Sequence, residues 1–147
     1  VVATANTKGK GSDDGRFVGT NVLNEAFLER FPLTFEQEYP SIKIEQKLLH
    51  NYCSELNCCD DEYIENLGTW AEIIRKTFKE GGVDEVISTR RLVHIIRAFA
   101  IFKDRLKAIK LCLNRFDDET KAAFLELYSK IDAKVDLGDT PLDIDAE

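Results

Sequence analysis

"YPSIKIEQKLLHNYCSEL", residues 39–56, is the stretch on which the fold turns. Pro40 biases Tyr39 toward extended geometry, and Ser41 is a side chain suited to capping the first free N–H groups of a helix. Ile44, Leu48 and Leu49 then follow helical spacing and set an apolar stripe running to about Leu56. Tyr39-Pro40-Ser41 therefore predicts a hinge-like break. Beyond it the chain reads as helix.

Toward the C-terminus the pattern repeats with fresh caps. Asp60 or Asp61 starts a helix whose Ile64, Leu67, Ala71, Ile74 and Phe78 share a face, and Gly81-Gly82 stops it. Val86-Ile87 reads as a brief extended piece. Ser88 caps a helix carrying Leu92, Ile95, Ile96 and Phe99, and Leu106 to Phe116 either continues it or begins its successor. Asp117 caps the last helix, with Ala122, Phe124, Leu125, Tyr128 and Ile131 as apolar positions. From Val135 onward Asp136, Asp139, Asp143, Asp145 and Glu147 occur with no Lys or Arg. Such a run predicts a solvated tail, with a docking strip for a basic surface as the alternative.

Toward the N-terminus the chain changes character. Val1–Ala5 is short, apolar and β-branched at its start, which predicts a buried parallel-type strand. Residues 7–19 hold Gly9, Gly11, Gly15 and Gly19, a density that marks a loop. Thr20 or Asn21 can cap a short helix with Leu23, Ala26, Phe27 and Phe31 on one side, ended by Pro32. Leu33–Phe35 reads as a second short strand. The expected organisation is mainly α: strand–loop–helix–strand over residues 1–38, a bundle of four or five helices over 39–134, and an acidic tail over 135–147.

Bulk properties bound the function. With 147 residues, 44% hydrophobic and 32% charged, the chain has the make-up of a globular domain with a sizeable core. No apolar run approaches the roughly 20 residues that span a bilayer, and no export signal is legible, so a cytoplasmic protein without a membrane role is expected. A net charge of −7 argues against nucleic acid as a partner. Cys53, Cys58, Cys59 and Cys112 read as reduced, partly buried thiols. His50 with Cys53, Cys58 and Cys59 offers four soft ligands, but neighbouring Cys58 and Cys59 project apart and the spacing is not that of a zinc knuckle, so no metal is expected.

Four residues carry candidate chemistry. Asn6 stands at the carboxyl end of the first strand, where open α/β sheets place ligands and attacking waters. Arg30 closes the short helix. Arg90 and Arg91 occupy the first turn after Ser88, where two cations oppose the helix dipole and an anion would relieve the conflict. Plainer roles exist for each: a turn-forming Asn, an Arg complementing a helix C-terminus, and ion pairs from Arg90 or Arg91 to Asp84 or Glu85.

Thr4-Ala5-Asn6-Thr7, the glycines at 9, 11, 15 and 19 with Thr20, then Asn24 and Arg30, resemble the stretch from sensor 1 to the arginine finger in AAA+ ATPases of the MoxR and dynein-related group. The pattern is most similar to the ATPase subunit of aerobic cobaltochelatase, the CobS-like branch. Glu29 departs from that branch's Asp and Phe31 from its Trp, which bears on cobalt insertion in particular. Ser88–Arg90 resembles the sensor 2 element opening a lid helix. The motif match covers residues 1–39, and the helical remainder matches in architecture alone.

The resemblance implies a C-terminal piece of an AAA+ α/β core followed by an all-α lid. By it, Asn6 would position the water attacking the γ-phosphate. Arg30 would reach into a neighbouring subunit's site, and Arg90, or Arg91 if the register differs by one, would touch the nucleotide bound in its own subunit. Partners would be the other subunits of a ring, six by the family pattern, and a protein to be remodelled. ATP and Mg2+ would be held mainly by parts preceding sensor 1. No G-x-x-x-x-G-K-[ST] occurs in the chain and no apolar strand ends in paired acids, so the 147 residues alone are expected not to hydrolyse ATP. Strands without their sheet neighbours are expected to be poorly supported, rearranged or paired between chains. The alternative function is an acidic helical module that binds another protein and never touches nucleotide.

Overall fold

The computed structural model describes residues 2–5, 22–135 and 137. The chain divides between Glu38 and Tyr39 into two units, at the Tyr39-Pro40-Ser41 break.

The second unit is helical. Its elements are α2 (Ile42–Glu55), α3 (Asp61–Lys79), α4 (Thr89–Phe102), α5 (Arg105–Leu113) and α6 (Asp118–Ile131). Four of the five begin on a side chain that accepts a backbone N–H of the first turn: Asp60 from Tyr63, Ser88 from Arg91, Asp104 from Lys107 and Asp117 from Thr120. Ser41 starts α2 without making that bond. Gly81 turns the chain after α3 at φ 80°, a left-handed angle that glycine reaches without strain. Lys103 takes the same region at φ 55° and separates α4 from α5, so the segment to Phe116 is a new helix rather than a continuation.

Packing runs in a closed circuit: α3 lies against α2 and α6, α4 against α2 and α5, and α5 against α6. Trp70 on α3 and Tyr128 and Phe124 on α6 meet edge to face, with ring centroids 5.7 and 6.3 Å from Trp70. The buried Trp70 Nε1 donates to the Phe124 carbonyl at 2.9 Å, so the largest core side chain carries no unpaired donor. Gly68 lets α2 approach α3: a Cβ there would lie 3.3 Å from Ile42 and Gln46.

Some expectations for this unit change. The α2 stripe was placed on Ile44, Leu48 and Leu49, yet Ile44 is 61% exposed, and the buried positions are Glu45, Leu49 and Cys53. Spacing i, i+4, i+8 is kept, but the face is rotated because the Glu45 carboxylate has partners in the interior. Val86-Ile87, read as a brief extended piece, lies outside the helices, and Ile87 is buried with its carbonyl taken by a side chain. Elsewhere Ala122 faces solvent, while Ile64, Leu67, Ala71, Ile74, Leu92, Ile95, Ile96, Phe124, Leu125 and Tyr128 line the core as the periodicity predicts.

The first unit is sparse. Its helix α1 (Glu25–Leu28) spans one turn and is capped by Asn24, not by Thr20 or Asn21; Asn24 Oδ1 accepts the Ala26 N–H at 2.9 Å. The turn closes at Phe31, whose N–H reaches the Leu28 carbonyl and whose ring meets Phe27 at 5.5 Å, before Pro32. No β-strand occurs among the described residues. The strands expected at Val1–Ala5 and Leu33–Phe35 are therefore corrected: Val2 is 93%, Leu33 73% and Phe35 85% exposed. An extended apolar segment becomes a buried strand only beside a partner, and no partner strand is present among the described residues. The mainly α character holds; the strand–loop–helix–strand layer is not seen among the described residues. The Gly-rich loop and nearly all of the acidic tail lie outside the described residues.

Candidate functional site: the N-terminus of helix α4

Ser88 holds an extended backbone, and its hydroxyl accepts the Arg91 N–H at 3.2 Å. Its carbonyl takes the Leu92 N–H at 3.1 Å. Thr89, Arg90 and Arg91 form the first turn, which contains no acid. The two arginines do different things. Arg91 is half-buried, donates from Nη1 to the Cys112 carbonyl at 2.6 Å, and lies 5.3 Å from the centre of the Phe116 ring. Burial, with the nearby charge of Arg115, pulls its pKa below the usual guanidinium range. Arg91 thus ties α4 to the end of α5. Arg90 points to solvent.

Beneath this turn sits a buried ion pair. Arg75 of α3 donates from Nη1 and Nη2 to the two carboxylate oxygens of Glu45 on α2, at 2.9 and 2.8 Å. Arg75 Nε donates to the Ile87 carbonyl at 2.8 Å, and the Thr89 hydroxyl donates to Glu45 Oε1 at 2.5 Å. The pair therefore grips the chain on both sides of the Ser88 cap. Tyr39 lays its ring 4.0 Å from the Arg75 guanidinium carbon. Two charges out of water are tolerable only when the remaining lone pairs and protons are also bonded. Here Nε, Nη1 and Nη2 of Arg75 and both oxygens of Glu45 each have at least one partner, and no buried side-chain nitrogen or oxygen among the described residues lacks one.

A second charge cluster fastens the far ends of the helices. Arg105, opening α5, donates to Asp60 at 2.6 Å, to Asp132 at 2.9 Å and to Glu62 at 3.2 Å. Tyr63 donates its hydroxyl to the Arg105 carbonyl, and Tyr128 donates to Asp132 at 2.8 Å. Burial works against the Asp132 charge, but the Tyr128 hydroxyl, the Lys134 N–H and Arg105 outweigh it and hold the carboxyl below the usual range. This cluster joins the starts of α3 and α5 to the end of α6.

Of the residues singled out in the sequence, Asn6 lies outside the described residues. Arg30 is exposed in the first unit, one residue past the α1 cap, with its N–H on the Phe27 carbonyl at 3.2 Å. Arg90 and Arg91 share the α4 turn and differ as above. Neither pairs with Asp84 or Glu85 within ion-pair distance. His50 Nδ1 faces Asp61 at 3.4 Å, Cys53 and Cys58 are buried, and Cys59 is exposed. Burial above all, with Cys58, Cys59 and Asp60 adding, pushes the Cys53 thiol up to about 12. No group of three or more His, Cys, Asp or Glu side chains placed to hold a metal ion occurs among the described residues.

Sequence reasoning passed over Glu45 and Arg75. Glu45 stands at i, i+4, i+8 with Leu49 and Cys53, a charge on an otherwise apolar face, and Arg75 follows Ile74 on the inner side of α3. One acid and one base on inward positions of separate helices was the available signal. Among the described residues no helix is long and apolar enough to cross a membrane. Comparison with protein-family models, with curated proteins and with solved structures returns no match to this chain.

Proposed function

We propose that the chain is the sensor 1, arginine finger, sensor 2 and lid portion of a ring-forming AAA+ ATPase. The motor would couple ATP hydrolysis to remodelling of a protein partner in the cytoplasm. The motif series from Thr4 to Arg30 motivates the family. The observation that carries the site is the division of labour in the first turn of α4. Arg91 is spent on Cys112 and Phe116, whereas Arg90 is exposed beside a capped helix N-terminus.

Arg90 accordingly takes the sensor 2 role. Its planar fork fits phosphate oxygens, and the positive end of the α4 dipole works in the same direction. Asn6 orients the attacking water, and Arg30 completes the pocket of an adjacent subunit, with a six-membered ring as the assembly. ATP fits Arg90. Both ATP and Mg2+ would be held mainly by a phosphate-binding segment that these 147 residues do not contain. Metal insertion of the cobaltochelatase kind is one form the remodelling could take.

Arg30→Ala tests the finger in a protein that carries the phosphate-binding segment. Turnover should fall roughly 10³-fold or more while ATP binding persists, because a finger neutralises charge in the transition state. Undiminished turnover removes that role. Partner binding that survives substitution of Asn6, Arg30 and Arg90 together, without any ATPase activity, would instead make the chain an acidic helical interaction module.

A further inference from the structure

We propose that Tyr39 is a positioning residue for Arg90, acting through the Arg75–Glu45 pair that brackets the α4 cap. The part of this inference that concerns nucleotide rests on the ATPase function proposed above.

The chemistry of the guanidinium explains why a ring is placed there. Three of its N–H vectors are taken in plane, Nε by the Ile87 carbonyl and Nη1 and Nη2 by Glu45. Those are three of its five N–H donors, and the faces of the plane are a separate surface for recognition. Tyr39 covers one of them at 4.0 Å, a cation–π contact, even though the tyrosine itself is 44% exposed.

The same guanidinium is anchored directly to the α4 entrance. Ile87, which it holds by the carbonyl, precedes Ser88; Thr89, which Glu45 Oε1 accepts from, follows it. Arg90 is the next residue. Tyr39 is the first residue of the helical unit and is followed by Pro40, so its backbone is restrained on that side and joined on the other to the chain that leads into the unit. A change in that chain would lift the ring, wet the guanidinium face, loosen its hold on Ile87 and Glu45, and free the turn that aims Arg90. The device ties the linker to sensor 2 through three side chains.

Amide exchange in the 147-residue chain tests the relay without nucleotide. The Arg91 and Leu92 N–H groups are both bonded to Ser88 and report the turn directly. Tyr39→Leu should speed their exchange about tenfold, the scale of a partly desolvated cation–π contact, whereas Tyr39→Phe, which keeps the ring, should leave it unchanged. Amides in the middle of α6 should not respond. No acceleration in Tyr39→Leu, equal acceleration in α6, or the same effect from Tyr39→Phe would each overturn the relay. In a protein carrying the phosphate-binding segment, Tyr39→Leu should lower turnover alone but add nothing in an Arg90→Ala background; additive losses would overturn it. A neutral Arg90→Ala would defeat the sensor 2 role of Arg90, and absence of any turnover the ATPase reading, while the exchange result would still decide the relay.

Discussion

Glu45 is a charged residue in the interior, and everything around it follows from that. A buried carboxylate needs bonded partners, and Arg75 and Thr89 supply them to Glu45. Glu45→Ala would leave Arg75 buried and uncompensated. We expect a loss of about 3–5 kcal/mol, read as a lowered midpoint of urea unfolding. Asp132 supplies a pH dependence. Its folded-state pKa lies below the unfolded value of about 3.9, so the stability it contributes is fully present above that value. That stability is lost as pH falls through the lower, folded value. The gap in melting temperature between the native protein and Asp132→Asn should therefore be constant from neutral pH down to about pH 5 and should close at more acid pH. A gap that widens on acidification would contradict the assignment.

At the scale of elements, caps decide where helices start, and Ser88 decides where the candidate site is. Ser88→Ala removes the acceptor of the Arg91 N–H and should cost about 1 kcal/mol in chemical denaturation. Starts and stops were legible in the sequence because they are local: Ser41, Asp60, Ser88 and Asp117 each stand where a helix begins, and Gly81 turns the chain after α3. Asp104 was not singled out, because the break before it depends on Lys103 adopting a left-handed angle that lysine seldom takes. The inner face of α2 was misplaced for a different reason. Periodicity counts Ile44 as core and Glu45 as surface, and only the distant Arg75, 30 residues on, reverses them. The strands at Val1–Ala5 and Leu33–Phe35 failed in the same way, since a strand's existence depends on a neighbour that its own residues do not specify. Of the candidate site, spacing could not distinguish Arg90 from Arg91, because their difference lies in the Cys112 carbonyl that Arg91 reaches across the helix pair.

On the scale of the molecule, the chain is two unlike units meeting in sequence at Tyr39. The helical one closes a circuit of five helices around Trp70 and, among its described residues, leaves no buried side-chain nitrogen or oxygen without a partner. The preceding one, among its described residues, offers a single turn of helix and exposed apolar side chains. In the proposed ATPase, those side chains and Arg30 acquire their neighbours only within a larger assembly built around a triphosphate. The coding sequence immediately upstream of Val1 tests that claim most directly. The account predicts a G-x-x-x-x-G-K-[ST] loop and an apolar strand ending in paired acids roughly 50–120 residues before Asn6. An upstream sequence holding neither would contradict it.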